Sequence, residues 1–124
     1  MELRNELYTL NKKAQEGESW QCEITLNPAS FIYQAHFPSE PITPGACLLQ
    51  IARELLEDIL HESLEIVYIK DVKFRSVIRP EEMPSIIYCF STIDKTKEGT
   101  VSSRITVQHE NHLLCNIAFT CKKR

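Results

Sequence analysis

The spacing of apolar and polar positions changes period twice along the chain. In "SWQCEITL", Ser19 to Leu26, the residues Trp20, Cys22, Ile24 and Leu26 alternate with polar ones, as in a strand with one face on a core. Asn27-Pro28 ends it, and Phe31 to Tyr33 is a short apolar piece. After Gly45 the period lengthens. In "ACLLQIARELLEDILHE" the residues Leu48, Ile51, Ala52, Leu55 and Ile59 share one helical face, which Leu49, Leu56 and Leu60 widen. Gln50, Arg53, Glu54, Glu57 and His61 lie opposite. So wide an apolar arc predicts a helix covered over most of its circumference.

From Leu64 the period returns to two. "LEIVYIKDVKFRSVI", Leu64 to Ile78, reads as a long strand or a bent pair, and Arg79-Pro80-Glu81-Glu82 as a turn. "SIIYCFSTID" is strand-like, Lys97-Glu98-Gly99 is a hairpin turn, and "TVSSRITVQHE" with "HLLCNIAFTCK" forms a last hairpin around Glu110-Asn111. Met1 to Ala14 reads as a short polar helix or an arm, with Gly17 as its punctuation. One long helix followed by an antiparallel meander is α+β, and five or six strands cover such a helix only by curling around it.

Composition narrows the class. With 124 residues, 43% of them hydrophobic and 25% charged, the chain suits one globular domain, residues 1–124. A formal net charge of −3 argues against indiscriminate nucleic-acid binding. The sequence has no run near the ~20 apolar residues of a membrane span, and "MELRNELYTL" has no apolar signal core. The expected location is therefore the cytoplasm, without a membrane partner. Cys22, Cys47, Cys89, Cys115 and Cys121 are odd in number and lack metal-ligand spacing, so they read as small buried thiols. Nothing implies a metal or another cofactor.

The candidate chemistry lies in "HFPSEPITPGACLLQ", His36 to Gln50. Pro38, Pro41 and Pro44 fix φ and leave the loop few conformations. Gly45 admits a ligand close to the backbone where the helix begins, and a helix N-terminus presents unpaired N–H groups. His36 is the nearby side chain able to exchange protons near neutral pH. A held histidine beside such an end suits proton abstraction next to a carbonyl. The same residues also fit a loop that prolines merely stiffen, with His36 as a cap.

This stretch resembles the signature of the β-hydroxyacyl-ACP dehydratases, roughly H-F-P-x-x-P-x-x-P-G leading into a helix. "YIKDVKFRSVIRPEE", Tyr68 to Glu82, is similar to that family's segment after the helix, and the closing hairpin to its last strands. The likeness runs from about Ser19 to Lys122. It implies a hot-dog fold, in which an antiparallel sheet wraps one central helix, and a dimer with the active site at its interface. It further implies His36 as the base that takes the C2 proton of a 3-hydroxyacyl thioester, and Gly45 as the backbone that holds the carbonyl. Phe37 and Pro44 would flank the substrate. The acidic residue of that family comes from the other subunit, fourteen positions after the histidine, and here that position is Gln50.

An amide can hydrogen-bond a hydroxyl but delivers no proton at neutral pH, and losing general-acid help costs ~10²–10⁴-fold. Glu54, one turn on, stands where many of these dehydratases carry glutamine. It is the second candidate acid, unless it is only a solvated helix residue. Three functions stay open: a dehydratase acting on acyl-ACP or acyl-CoA, an acyl-ACP-binding or supporting subunit of a dehydratase complex, and a hot-dog thioesterase. The expected assembly is a homodimer or a set of dimers. His61, His109 and His112 match nothing in the motif and read as structural or exposed. Lys73, Arg75 and Arg79 alternate onto one strand face, either a solvated face or a basic stripe for an acidic carrier protein.

Overall fold

The computed structural model describes residues 1–36 and 38–124; Phe37 lies outside them. The elements run β1 (Tyr8–Glu16), β2 (Ser19–Leu26), α1 (Phe31–Ala35), α2 (Gly45–Leu60), β3 (Leu64–Phe74), β4 (Ser85–Lys95), β5 (Thr100–His109) and β6 (His112–Lys123). All six strands join one antiparallel sheet in the order β1-β2-β4-β5-β6-β3. This is the hot-dog arrangement, a curved sheet around a long helix.

The register explains how the sheet receives α2. One row of facing positions passes from Cys22 to Tyr88, Val107, Cys115 and Phe74 across five strands. A second row runs Trp20, Phe90, Ile105, Ile117 and Val72. Most of these residues share one buried cluster with Leu48, Ile51, Ala52, Leu55, Leu56 and Ile59 of α2, the arc that the helical period picks out. The Tyr88 hydroxyl, buried in that cluster, donates to the Leu48 carbonyl at 2.9 Å. Its polar end is satisfied inside an apolar core, as a buried tyrosine requires.

The N-terminal segment departs from expectation. The stretch read as a helix or an arm is strand β1 from Tyr8, paired with β2 along its length. Ahead of it, Leu3 and Leu7 are buried against the core. As an edge strand, β1 buries Tyr8 and leaves most other side chains at least partly in water, so it carries almost no alternation. The long segment after α2 is also shorter as a strand than read, because β3 stops at Phe74. Two register shifts, between Ile66 and Tyr68 and between Ile69 and Asp71, bend it.

The two sheet edges differ. Strand β1 offers polar side chains, whereas β3 exposes Val67, Tyr68 (61%) and Ile69 (46%) beside its unpaired backbone groups. Among the described residues no helix is long and apolar enough to cross a membrane.

Candidate functional site

Local chemistry holds the proline-rich loop at both ends. Ser30 caps α1, its hydroxyl accepting from Ile32 N–H at 3.3 Å, and the short helix buries Ile32 and Tyr33. His36 follows in extended conformation (φ −124°, ψ 124°), with its N–H on the Ile32 carbonyl at 3.0 Å. At the far end Thr43 is buried. Its N–H donates to the Ile78 carbonyl at 2.8 Å, and its hydroxyl meets the Tyr33 hydroxyl at 2.9 Å. Burial pushes the Tyr33 phenol above its ordinary range, although the hydrogen bond to Thr43 pulls the other way. The Glu40 carboxylate pairs with Arg79 and ties the loop to the β3–β4 connection.

Pro44 then opens α2 from an extended conformation (φ −61°, ψ 143°), and no side chain caps that end. The Pro44 carbonyl accepts from Cys47 at 3.0 Å and Leu48 at 3.2 Å. Among the described residues the Gly45 and Ala46 N–H groups are left for another partner. Phe74, at the end of β3, lies against Gly45 so closely that a Cβ there would sit 2.6 Å from the ring. Both residues line a cavity of about 290 Å³ with Ile42, Leu48, Val77 and Ile78. An uncapped helix end opening on an apolar hollow can hold an oxyanion while it buries a hydrocarbon.

The other candidates lie apart from this hollow. His36 is not among the residues lining it; its side chain is exposed, and among the described residues no side chain is hydrogen-bonded or ion-paired to its imidazole. Gln50 and Glu54 meet each other one turn apart, but both are engaged with the N-terminal segment. The Gln50 amide donates to the Met1 carbonyl, and to Glu54 Oε2 at 2.9 Å. Glu54 is 5% exposed and accepts from Leu3 N–H (2.8 Å), Arg4 N–H (3.0 Å) and the Tyr8 hydroxyl (2.9 Å) as well. Burial, and then the Glu54 charge, push the Tyr8 phenol well above its ordinary range.

Asp58, a turn beyond, extends the clasp. It takes Arg4 at 2.9 Å and Lys13 at 2.8 Å. Burial alone would raise its carboxyl, but the hydrogen bonds from Lys13 and Arg4 hold it below the ordinary range.

Sequence reasoning did not find Thr43, Phe74 or the Glu54 clasp. The helical period places Glu54 opposite the apolar arc, in water, but Leu3, Arg4 and Tyr8 close over that part of α2 and bury it. Of the basic stripe, Arg79 is spent on Glu40, whereas Lys73 and Arg75 have no ion-pair partner among the described residues. His61 ends α2 in left-handed conformation, and His109 Nδ1 lies 2.9 Å from the Ser85 carbonyl.

Comparison with known proteins agrees with the fold and with the family resemblance. The model of the ApeI-like family, described as ApeI dehydratase, matches residues 12–115. A 3-hydroxyacyl-[acyl-carrier-protein] dehydratase FabZ from Levilactobacillus brevis is 33% identical over 100 residues, covering 73% of this chain and 66% of the relative. A FabZ from Rickettsia felis is 25% identical over 105 residues, covering 78% and 69%. The match thus spans about two thirds of the length of these relatives.

Among solved structures, the dehydratase heterocomplex ApeI:P from Xenorhabdus doucetiae superposes with a TM-score of 0.69 at 15% identity. That match covers 92% of this chain and 96% of the other. A putative thioesterase from Lactococcus lactis gives 0.63 at 12% identity over 95% and 92%. At these identities the structures speak for the fold alone.

Proposed function

Because the chain belongs to the ApeI-like dehydratase family, we propose that it removes water from a 3-hydroxyacyl thioester at the N-terminal end of α2, with His36 as the base. The observation that carries this reading is the uncapped turn at Gly45 opening on an apolar hollow. The thioester oxygen accepts from the Gly45 and Ala46 N–H groups, and the acyl chain lies along Leu48, Phe74 and Ile78. Each buried methylene contributes about 0.8 kcal/mol.

His36 takes the C2 proton while the electrons move onto the thioester oxygen, where the helix end stabilises them. The C3–O bond then breaks, C2=C3 forms, and the hydroxyl departs as water with a proton. Gln50 and Glu54 are engaged elsewhere, so we assign that proton to the imidazolium that His36 has become. Pro44 flanks the substrate in this reading, whereas Phe37 lies outside the described residues. Gln50 and Glu54 act as positioning residues that keep the N-terminal segment on α2.

Two copies would join along β3, whose exposed Val67, Tyr68 and Ile69 make it the edge suited to pairing. Such a pair would also give the exposed His36 a second wall.

A supporting subunit is the second reading. What favours it is the amide at position 50, already tied to the Met1 carbonyl. The test is to incubate the purified chain and His36→Ala with a short 3-hydroxyacyl thioester, following enoyl product by mass spectrometry. Turnover that His36→Ala abolishes is expected; a wild type no faster than His36→Ala would overturn the enzyme reading.

A further inference from the structure

The outer face of the sheet carries a second concave feature, on the side away from α2. Arg104 on β5 faces Ala118 on β6, and Thr106 faces Asn116, which in turn faces Lys73 on β3. The small side chain of Ala118 leaves a dent between longer neighbours. The resulting groove, about 280 Å³, brings together Lys73, Arg75 and Arg104 with Thr106 and Asn116, and Asp71 on the rim.

Three features make this more than a solvated face. Of the six arginines, Arg4, Arg53, Arg79 and Arg124 are ion-paired, whereas Arg75 and Arg104 have no carboxylate partner among the described residues. Arg75 is also held in place. Its Nε donates to Asn116 Oδ1 at 2.7 Å, which leaves the remaining guanidinium donors to face the groove. Finally, Arg75 lines both this groove and the apolar hollow at Gly45, so the two adjoin at one residue. Three cations against one carboxylate, in a space of this size, suit a compact phosphate group rather than a flat protein surface.

We propose that Lys73, Arg75 and Arg104 form a phosphate-binding subsite for the carrier end of the thioester substrate. This rests on the thioester reading of the Gly45 hollow and deepens it. The acyl part lies in the hollow, and the phosphate of its carrier moiety lies around the β3 end in the outer groove. The shared chemistry is a phosphate ester on a pantetheine-type arm, whether borne by a carrier protein or by coenzyme A.

The experiment compares wild type with Arg104→Gln and Lys73→Gln on three forms of one acyl group: carrier-protein-bound, coenzyme A-bound, and the N-acetylcysteamine thioester, which has no phosphate. For the phosphate-bearing forms KM should rise about tenfold, the loss of one charge-assisted contact, with kcat nearly unchanged. The N-acetylcysteamine thioester should be indifferent. A rise with only one phosphate-bearing form identifies the natural source. Equal effects on all three forms, or none, would overturn the subsite.

If no form is turned over, the dehydratase reading fails, and the subsite is then judged by titrating inorganic phosphate into the protein. Shifts of the Arg75 and Arg104 Nε–H resonances by NMR, lost in Arg104→Gln, support it. A titration that leaves both unmoved rejects it.

Discussion

The Phe74 ring occupies the space that any side chain at Gly45 would need, with 2.6 Å between the ring and a Cβ placed there. The glycine is therefore required by its neighbour and not by its backbone, which is ordinary helix. Phe74 is 51% exposed, so its ring can yield.

Gly45→Ala should consequently fold, with a melting temperature within a few degrees of wild type, because a half-exposed ring moves at modest cost. Activity should fall by ~10-fold to 10²-fold, less than the ~10²–10³-fold cost of losing one oxyanion donor outright, because the donor is displaced and not removed. Gly45→Ala with Phe74→Ala should fold equally well and regain part of the loss. Thermal denaturation and turnover measured on the same preparations check both statements.

Restoring a carboxylate at position 50 should harm the protein. In Gln50→Glu a second acid replaces the amide that donates to Glu54 and to the Met1 carbonyl, leaving two carboxylates face to face. We expect a loss of about 1–3 kcal/mol at pH 7, shrinking as the pH falls and one of the pair takes up a proton. Glu54→Ala should cost about 2–4 kcal/mol, since it strands the buried Leu3 N–H and Tyr8 hydroxyl. Urea denaturation at pH 5 and pH 7 checks both statements: the Gln50→Glu deficit should shrink at the lower pH.

The strong helix and the last three strands were legible because each buries one face with a regular period. The edge strand β1 was not. Residues 9–16 face mostly water and alternate with nothing. The proline spacing singled out His36 and Gly45, of which Gly45 lines the hollow and His36 does not, and Phe74 reaches Gly45 only through the sheet, since β3 must first pair with β6. Glu54 shows the same limit: its burial depends on Leu3 and Tyr8, some fifty residues away in sequence.

Alkaline pH should destabilise the fold through its thiols. Burial pushes Cys22 up to about 12, and Cys115 and Cys121 to about 11, from an ordinary 9.0. The unfolded chain releases these protons first, so it binds fewer protons than the native state between pH 9 and 11. Stability is therefore full below pH 9 and falls as pH rises, by about 1.4 kcal/mol per unit for each thiol. Urea midpoints between pH 8 and 10.5 should show this decline. Cys121→Val should flatten it.

Strand β3 is the expected seam between copies. Ile69→Lys places a charge on its exposed apolar edge without touching α2. Light scattering should find the wild type as a dimer and Ile69→Lys as a folded monomer at micromolar concentration. A monomeric wild type would refute the assignment of this edge.

The strand order also bears on synthesis at the ribosome. Strand β3 is made before β4, yet its only neighbour in the sheet is β6, the last strand of all. Until residues 112–123 have left the exit tunnel, β3 has nothing to pair with and the apolar face of α2 lacks much of its cover. Contacts this distant along the chain close late and slowly. The nascent protein thus carries an open sticky edge while β4 and β5 are being made, and the meander β4-β5-β6, whose hairpins are local, is the natural first piece to form. A stop codon at the start of β6 would remove every partner of β3, leave that edge permanently open and favour aggregation of the chain.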